Sequence, residues 1–175
     1  MSEIINKVAE SSLVTVDLEE FCPEGKRVFF DLKDFLYKGL VLKEKDFREA
    51  LKNHDWEQYK DAFVAIDCSI DTILPSWAFM LTSVYLQPYV RKLVKGNLKE
   101  LETAVFSDII NQIDIENYKG KKLIIKGCSK KQVPDTAYIQ LIGRLMPVAD
   151  SLMFGEACST VPLMKKKFIR KNKPV

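Results

Sequence analysis

The stretch FVAIDCSIDTILPSWAF, residues 63–79, decides the reading of the fold. Phe63 to Cys68 is an apolar run of strand length. Ser69 to Leu74 then reads as a loop, and Pro75 stands where a first helical turn tolerates a missing N–H. A mostly apolar helix is expected from Pro75 to about Lys95. Pro88 should kink or break it by removing a donor and crowding the preceding turn, and Gly96 ends it.

A second stretch, KLIIKGCSKKQVPDTAY over residues 122–138, follows the same plan. Val64-Ala65-Ile66-Asp67-Cys68-Ser69 matches Ile124-Ile125-Lys126-Gly127-Cys128-Ser129, so Cys-Ser closes a strand in each. Ala and an aromatic residue follow each proline by three and four residues, as Ala78-Phe79 and Ala137-Tyr138. Pro88 and Pro147 each come thirteen residues after the first proline, although the Cys-to-Pro spacing is seven in one copy and six in the other. The second helix should run from Pro134 to about Met146. Cys68 and Cys128 would then sit at strand C-terminal ends, facing the N-termini of the following helices. Open α/β sheets take ligands at that edge, and a helix N-terminus favours thiolate over thiol.

Working outward, Leu13 to Val16, Val28 to Leu32 and Leu40 to Leu42 are short runs separated by turn residues, which predicts an antiparallel meander. Lys45 to Asn53 predicts a helix with Phe47, Ala50 and Leu51 on one face. Asn97 with Glu100 has the form of a capping box, and Leu98, Leu101, Val105, Ile109 and Ile113 continue at helical spacing. The expectation is α+β: one domain over residues 1–164, with a mixed sheet, an N-terminal antiparallel meander and two strand–helix units, the helices covering the sheet.

At 175 residues the chain has the length of one domain. Its 47% hydrophobic and 29% charged residues exclude a disordered chain, and seven Gly with seven Pro exclude a collagenous or linker-dominated one. No apolar stretch approaches the roughly 18 residues of a membrane span. The opening Met1-Ser2-Glu3 lacks the basic-then-apolar block of a signal peptide, so a cytoplasmic protein is expected. The net charge of +3 reflects the end of the chain. Residues 165–175 hold six basic residues and no acid, which leaves 21 basic against 24 acidic residues in the body. These eleven residues are expected to be a flexible tail able to touch an acidic partner. No nucleic-acid-recognition pattern accompanies the basic residues, so nucleic acid is not an expected partner.

The candidate chemistry lies with cysteine. Of Cys22, Cys68, Cys128 and Cys158, all but the first precede a serine, and no C-x-x-C pair occurs. In a reducing compartment a disulfide framework is not expected. Cys68, Cys128 and Cys158 could form a three-thiolate site, with the sole histidine, His54, as fourth ligand. Asp67 and Glu156 are alternative fourth ligands. Soft sulfur donors select zinc or an iron–sulfur cluster over magnesium or calcium. The structural alternative is that these are ordinary buried cysteines. Two further readings are a cysteine-dependent sulfur or acyl transferase using Cys128 or Cys158, with His54 as a base to Cys128, and an interaction module with no metal site whose basic tail meets an acidic partner. No G-x-S-x-G, P-loop, G-x-G-x-x-G or H-E-x-x-H is present, so no enzyme class is named and the reading leans to a non-enzyme.

Several stretches carry a family likeness: Leu42 to Arg48, Asn53 to Trp56, Ile125 to Cys128, Met153 to Glu156 and Cys158 to Leu163. The chain resembles, over about Ile4 to Leu163, a bacterial family known as domain of unknown function 2480. The resemblance implies no activity. It implies a context, namely gene neighbourhoods for iron–sulfur cluster assembly, and hence iron–sulfur assembly proteins as partners. Carried over by this resemblance, the matching motif positions are His54, Asp55, Trp56, Cys68, Cys128 and Cys158. Cys22 and the tail lie outside them.

Overall fold

A computed structural model describes residues 13–127, 130–156 and 158–166. In chain order the elements are β1 (Leu13–Val16), α1 (Leu18–Phe21), β2 (Arg27–Asp31), α2 (Glu44–Asn53), β3 (Phe63–Asp67), α3 (Ser76–Leu86), β4 (Lys92–Lys95), α4 (Leu98–Gln112), β5 (Lys122–Ile125), α5 (Asp135–Leu145), β6 (Ser151–Glu156) and β7 (Ser159–Lys165). The protein is α+β, as expected. It divides into two compact units, a contiguous one over residues 23–105 and a split one formed by 1–22 with 106–175.

The contiguous unit holds a parallel sheet of order β2-β3-β4, and the split unit a mixed sheet of order β1-β5-β6-β7. Each has its own core. Phe30, Phe47, Leu51, Trp56, Val64 and Ile66 belong to the core of the contiguous unit. Val16, Phe106, Ile110, Leu123, Ile125 and Leu152 belong to that of the split unit. The central strands β3 and β5 are almost continuously apolar because helices cover parallel strands, rather than leaving one face to water.

The duplication seen in the sequence extends far beyond the two cysteine stretches. Adding 59 to a residue number in 47–96 gives its counterpart in the split unit. Phe63 pairs Lys92 and Lys122 pairs Ser151 in the same parallel register. Asp61 N–H donates to Tyr89 O as Gly120 N–H donates to Val148 O, each at 2.9 Å. Arg91 N–H donates to Ala62 O, and Asp150 N–H to Lys121 O. Asp61 and Gly120 both take positive φ, at 56° and 69°. At the N-terminal side the displacement is 14: β1 runs into Asp17-Leu18 as β2 runs into Asp31-Leu32. In both, the aspartate accepts the backbone N–H two residues on. The contiguous copy is thus inserted between the first strand of the other copy and the rest of it.

Several expectations are corrected. The N-terminal meander is absent among the described residues: β1 and β2 belong to different sheets, and each pairs in parallel, with β5 and β3 respectively. Short apolar runs specify strand but not partner, and here the helices between them impose parallel crossovers. Leu40 to Leu42 forms no strand, only an antiparallel bridge between Tyr37 and Val41. The helix expected to reach Lys95 stops at Leu86, and Lys92–Lys95 is β4, because Pro88 ends the helix instead of kinking it. The Cys-Ser pairs are one residue out of step, since the counterpart of Cys68 is Gly127. The capping box at α4 is present, with Asn97 Oδ1 accepting from Lys99 N–H and Glu100 Oε2 accepting from Asn97 N–H. Of the expected tail, Lys165 ends β7 and Lys166 N–H donates to Asp150 O. Residues 167–175 lie outside the described residues.

Phe154 to Thr160, read as a loop, includes the turn of the β6–β7 hairpin. Gly155 sits there at φ +122°, and a Cβ on it would run into the Ser159 carbonyl oxygen. Gly155→Ala is therefore expected to cost about 1–3 kcal/mol through backbone strain, with the hairpin displaced. Thermal unfolding followed by circular dichroism checks this, and an unchanged midpoint rules it out.

Candidate functional site

Cys68 follows the last residue of β3 and packs partly against the core of the contiguous unit. It lines a cleft of about 460 Å³ at the C-terminal edge of that sheet. Asp67 ends β3, Lys95 ends β4, and Ser76 begins α3, so three elements bring polar groups to the cleft. Thr72 adds a hydroxyl, and Leu74 and Phe79 add apolar wall. The loop between β3 and α3 is pinned at its start. Cys68 N–H donates to Asp67 Oδ1 at 2.9 Å, and Ser69 N–H donates to Asp31 Oδ1 at 3.0 Å. Lys95 Nζ lies 3.7 Å from Asp67 Oδ1 and 5.0 Å from the centre of the Phe79 ring.

The split unit carries different chemistry at the corresponding edge. The counterpart of Asp67 is Lys126, whose Nζ donates to Asp17 Oδ2 at 2.9 Å. The counterpart of Lys95 is Phe154, packed edge-on to Tyr138. Burial pushes the Asp17 carboxyl up, but the Lys126 hydrogen bond, the Glu19 N–H and the Lys126 charge outweigh it and hold the group below its usual range. Burial is outweighed at Asp31 too, by the hydrogen bonds from Ser69 and Lys33. Both acids therefore favour the folded state above pH 3.8, and their contribution is lost as pH falls through the lower folded values.

His54 is placed by the end of α2, in a cluster of rings. Its Nε2 lies 3.0 Å from Tyr59 Oη, and Phe30, Phe35 and Trp56 surround it with centroids 5.6, 5.5 and 4.7 Å away. It lines a separate pocket of about 450 Å³ with Asp31, Asp34, Phe35, Ala50 and Tyr59. Burial lowers its pKa below 6.5, against an opposing pull from the Asp55 charge. The unfolded chain therefore takes up this proton first. The histidine's contribution is complete above about pH 6.5 and declines as pH falls toward the lower folded value. His54→Ile, which installs the residue of the sister position Ile113, is expected to flatten the loss of thermal stability between pH 7 and pH 5. With one histidine in the chain, no other side chain has an unperturbed pKa in that window. An equal slope in wild type and variant would refute it.

The other expected ligands belong to both units. Cys158 is exposed at the turn between β6 and β7 in the split unit, whereas Cys68 and His54 belong to the contiguous one. Cys128 lies outside the described residues. Glu156 ends β6, and Cys22 packs partly against the split unit's core. Among the described residues no group of three or more His, Cys, Asp or Glu side chains is placed to hold a metal ion. No helix among them is long and apolar enough to cross a membrane.

Reading the sequence for thiols and histidine missed Asp31, Asp34, Tyr59 and Lys95. A signal for the first two was present. Residues 17–21 read DLEEF and residues 31–35 read DLKDF, one motif used twice after a strand.

A family model described as a protein of unknown function (DUF2480) matches residues 2–166. No curated protein and no solved structure matches the chain.

Proposed function

Since the chain belongs to the DUF2480 family of proteins of unknown function, we propose its role from the geometry: a non-enzymatic binding protein whose ligand occupies the Cys68 cleft. The observation that carries this reading is the position of the cleft. It opens where β3 and β4 end, the edge at which open parallel sheets take ligands. A thiol, two hydroxyls, two carboxylates and an ammonium group line it beside apolar wall. That mixture suits a small ligand with polar and apolar parts.

The finer form of the proposal is metal or iron–sulfur handling, with Cys68, Cys128 and Cys158 as thiolate ligands, His54 as the fourth, and iron–sulfur assembly proteins as partners. The placement of Cys68 in an open cleft favours it, because a thiol must be reachable to receive an ion. His54 enters this set only if its ring leaves Tyr59. The test is native mass spectrometry with elemental analysis on anaerobically purified protein, wild type against Cys68→Ser. A retained small molecule that the variant loses supports the binding reading. Near-stoichiometric zinc, or iron with sulfide, lost in the same variant supports the metal form. Both readings fail if the wild type carries nothing and Cys68 alkylates at the rate of a free thiol with or without added zinc.

A further inference from the structure

The duplication gives the His54 pocket a counterpart. In the split unit a smaller pocket, about 330 Å³, is lined by Phe21, Ile109, Gln112, Ile113 and Tyr118. Each of these corresponds to a lining residue of the 450 Å³ pocket: Phe35, Ala50, Asn53, His54 and Tyr59. The fold therefore makes a corresponding depression in each unit. What differs is how each copy fills it. The split unit places two isoleucines there, beside Gln112, Asp114 and Asn117. The contiguous unit replaces them with Ala50, which leaves room, and His54, which adds a polar ring at a cost in stability. Departures from the locally stable choice concentrate at functional sites.

The replacements also change the electrostatics. Asp31 and Asp34 line the larger pocket; their counterparts Asp17 and Glu20 do not line the smaller one, which carries the single carboxylate of Asp114. Asp17 also carries the ammonium of Lys126. In the contiguous unit that lysine is replaced by Asp67, and the cation near Asp31 is the half-exposed Lys33 at 3.3 Å. Beside Ala50 and Asn53, the remaining walls are rings, Phe35, Tyr59 and His54 among them, and aromatic faces attract cations. We propose that the His54 pocket of the contiguous unit binds an alkylammonium group, a positively charged nitrogen on a short carbon stem. The lining of this pocket is distinct from that of the Cys68 cleft, and its ligand test is read apart from the test of that cleft; only the metal form of that reading shares a residue with it, His54.

The test is an amide NMR titration of the full chain with choline and, separately, with its uncharged carbon isostere 3,3-dimethylbutan-1-ol. Choline should give saturable shifts at Phe35 and His54, and the isostere should bind at least about tenfold more weakly, consistent with the strength of cation–π and carboxylate contacts. Asp34→Asn, at an exposed position, should weaken choline several-fold with the fold intact. Ala50→Ile, which copies the sister pocket, should abolish binding. A peptide carrying one trimethyllysine distinguishes the source: tighter binding than choline points to a protein side chain, and equal or weaker binding to a free amine. The proposal is overturned if choline and the isostere bind alike, if Asp34→Asn leaves the affinity unchanged, or if the shifts fall at Ile113 and Tyr118 instead.

Discussion

Phe47→Ala is expected to destabilise the contiguous unit by about 3–5 kcal/mol, the usual cost of deleting a buried phenylalanine. Phe47 lies on α2 and has 0% exposure. Its ring meets Phe35 and Trp77 nearly edge-on, at centroid distances of 6.1 and 5.9 Å. The aromatic neighbours and the strands beneath are rigid, so the space left by the ring would not close. A domain is typically stable by only 5–15 kcal/mol, so the loss would be a large share of the total. Trp56 and Trp77 are the chain's two tryptophans and both lie in this unit. Their fluorescence during urea unfolding reads the change directly. A loss of less than about 1 kcal/mol would mean that the ring is not held in a close-packed core.

Phe106→Ala should cost a similar amount in the split unit, about 3–5 kcal/mol. The two phenylalanines are counterparts, Phe106 standing 59 residues after Phe47 and equally buried at 0% exposure. It packs in the cluster of Ile110, Leu123, Leu141 and Leu152. Most of these are branched aliphatic side chains on a helix or a strand, with little freedom to move into a void. Tryptophan fluorescence has no local reporter here. The readout is amide hydrogen exchange at Leu123 to Ile125, where protection should fall, together with the far-ultraviolet circular dichroism midpoint. A cost far below that of Phe47→Ala would show that the two cores are not built alike, despite their shared register.

The shared register explains which parts of the fold were legible in the chain. The periodicity of Leu98 to Ile113, the capping box at Asn97 and the helix after Pro134 are local features. Spacing and cap chemistry set them, and the structure has them where the sequence placed them. The strands β3 and β5 were legible because a fully covered parallel strand is a continuous apolar run. The hairpin of β6 and β7 was not. Gly155 and the residues beside it read equally well as a loop, and only pairing with Ile124 and Ile125 on one side and β7 on the other makes Phe154 part of a sheet.

The candidate site divides in the same way. The sequence put Cys68 at the end of a strand, above a helix start, and that placement follows from local pattern alone. It could not measure which distant residues meet. Asp67 and Lys95 approach each other through the pairing of β3 with β4. Asp17 and Lys126, 109 residues apart, are brought together by the pairing of β1 with β5. The sequence offers His54 as the fourth ligand of a three-cysteine site, and the fold sets its ring against Tyr59 and the aromatic cluster.

By itself, then, the sequence determined the α+β class, most helix boundaries and the presence of a duplicated strand–helix plan, since each depends on interactions within a few turns of chain. The tertiary structure decided that the copies are nested, that the strands common to both pair in parallel, and that corresponding pockets are lined by Ala50 and His54 in one copy and by isoleucines in the other. Those outcomes rest on contacts between residues far apart in the chain. Apolar side chains gain nearly the same free energy from many such partners, so local pattern does not select one, and only the complete register of the sheets fixes which partners are met.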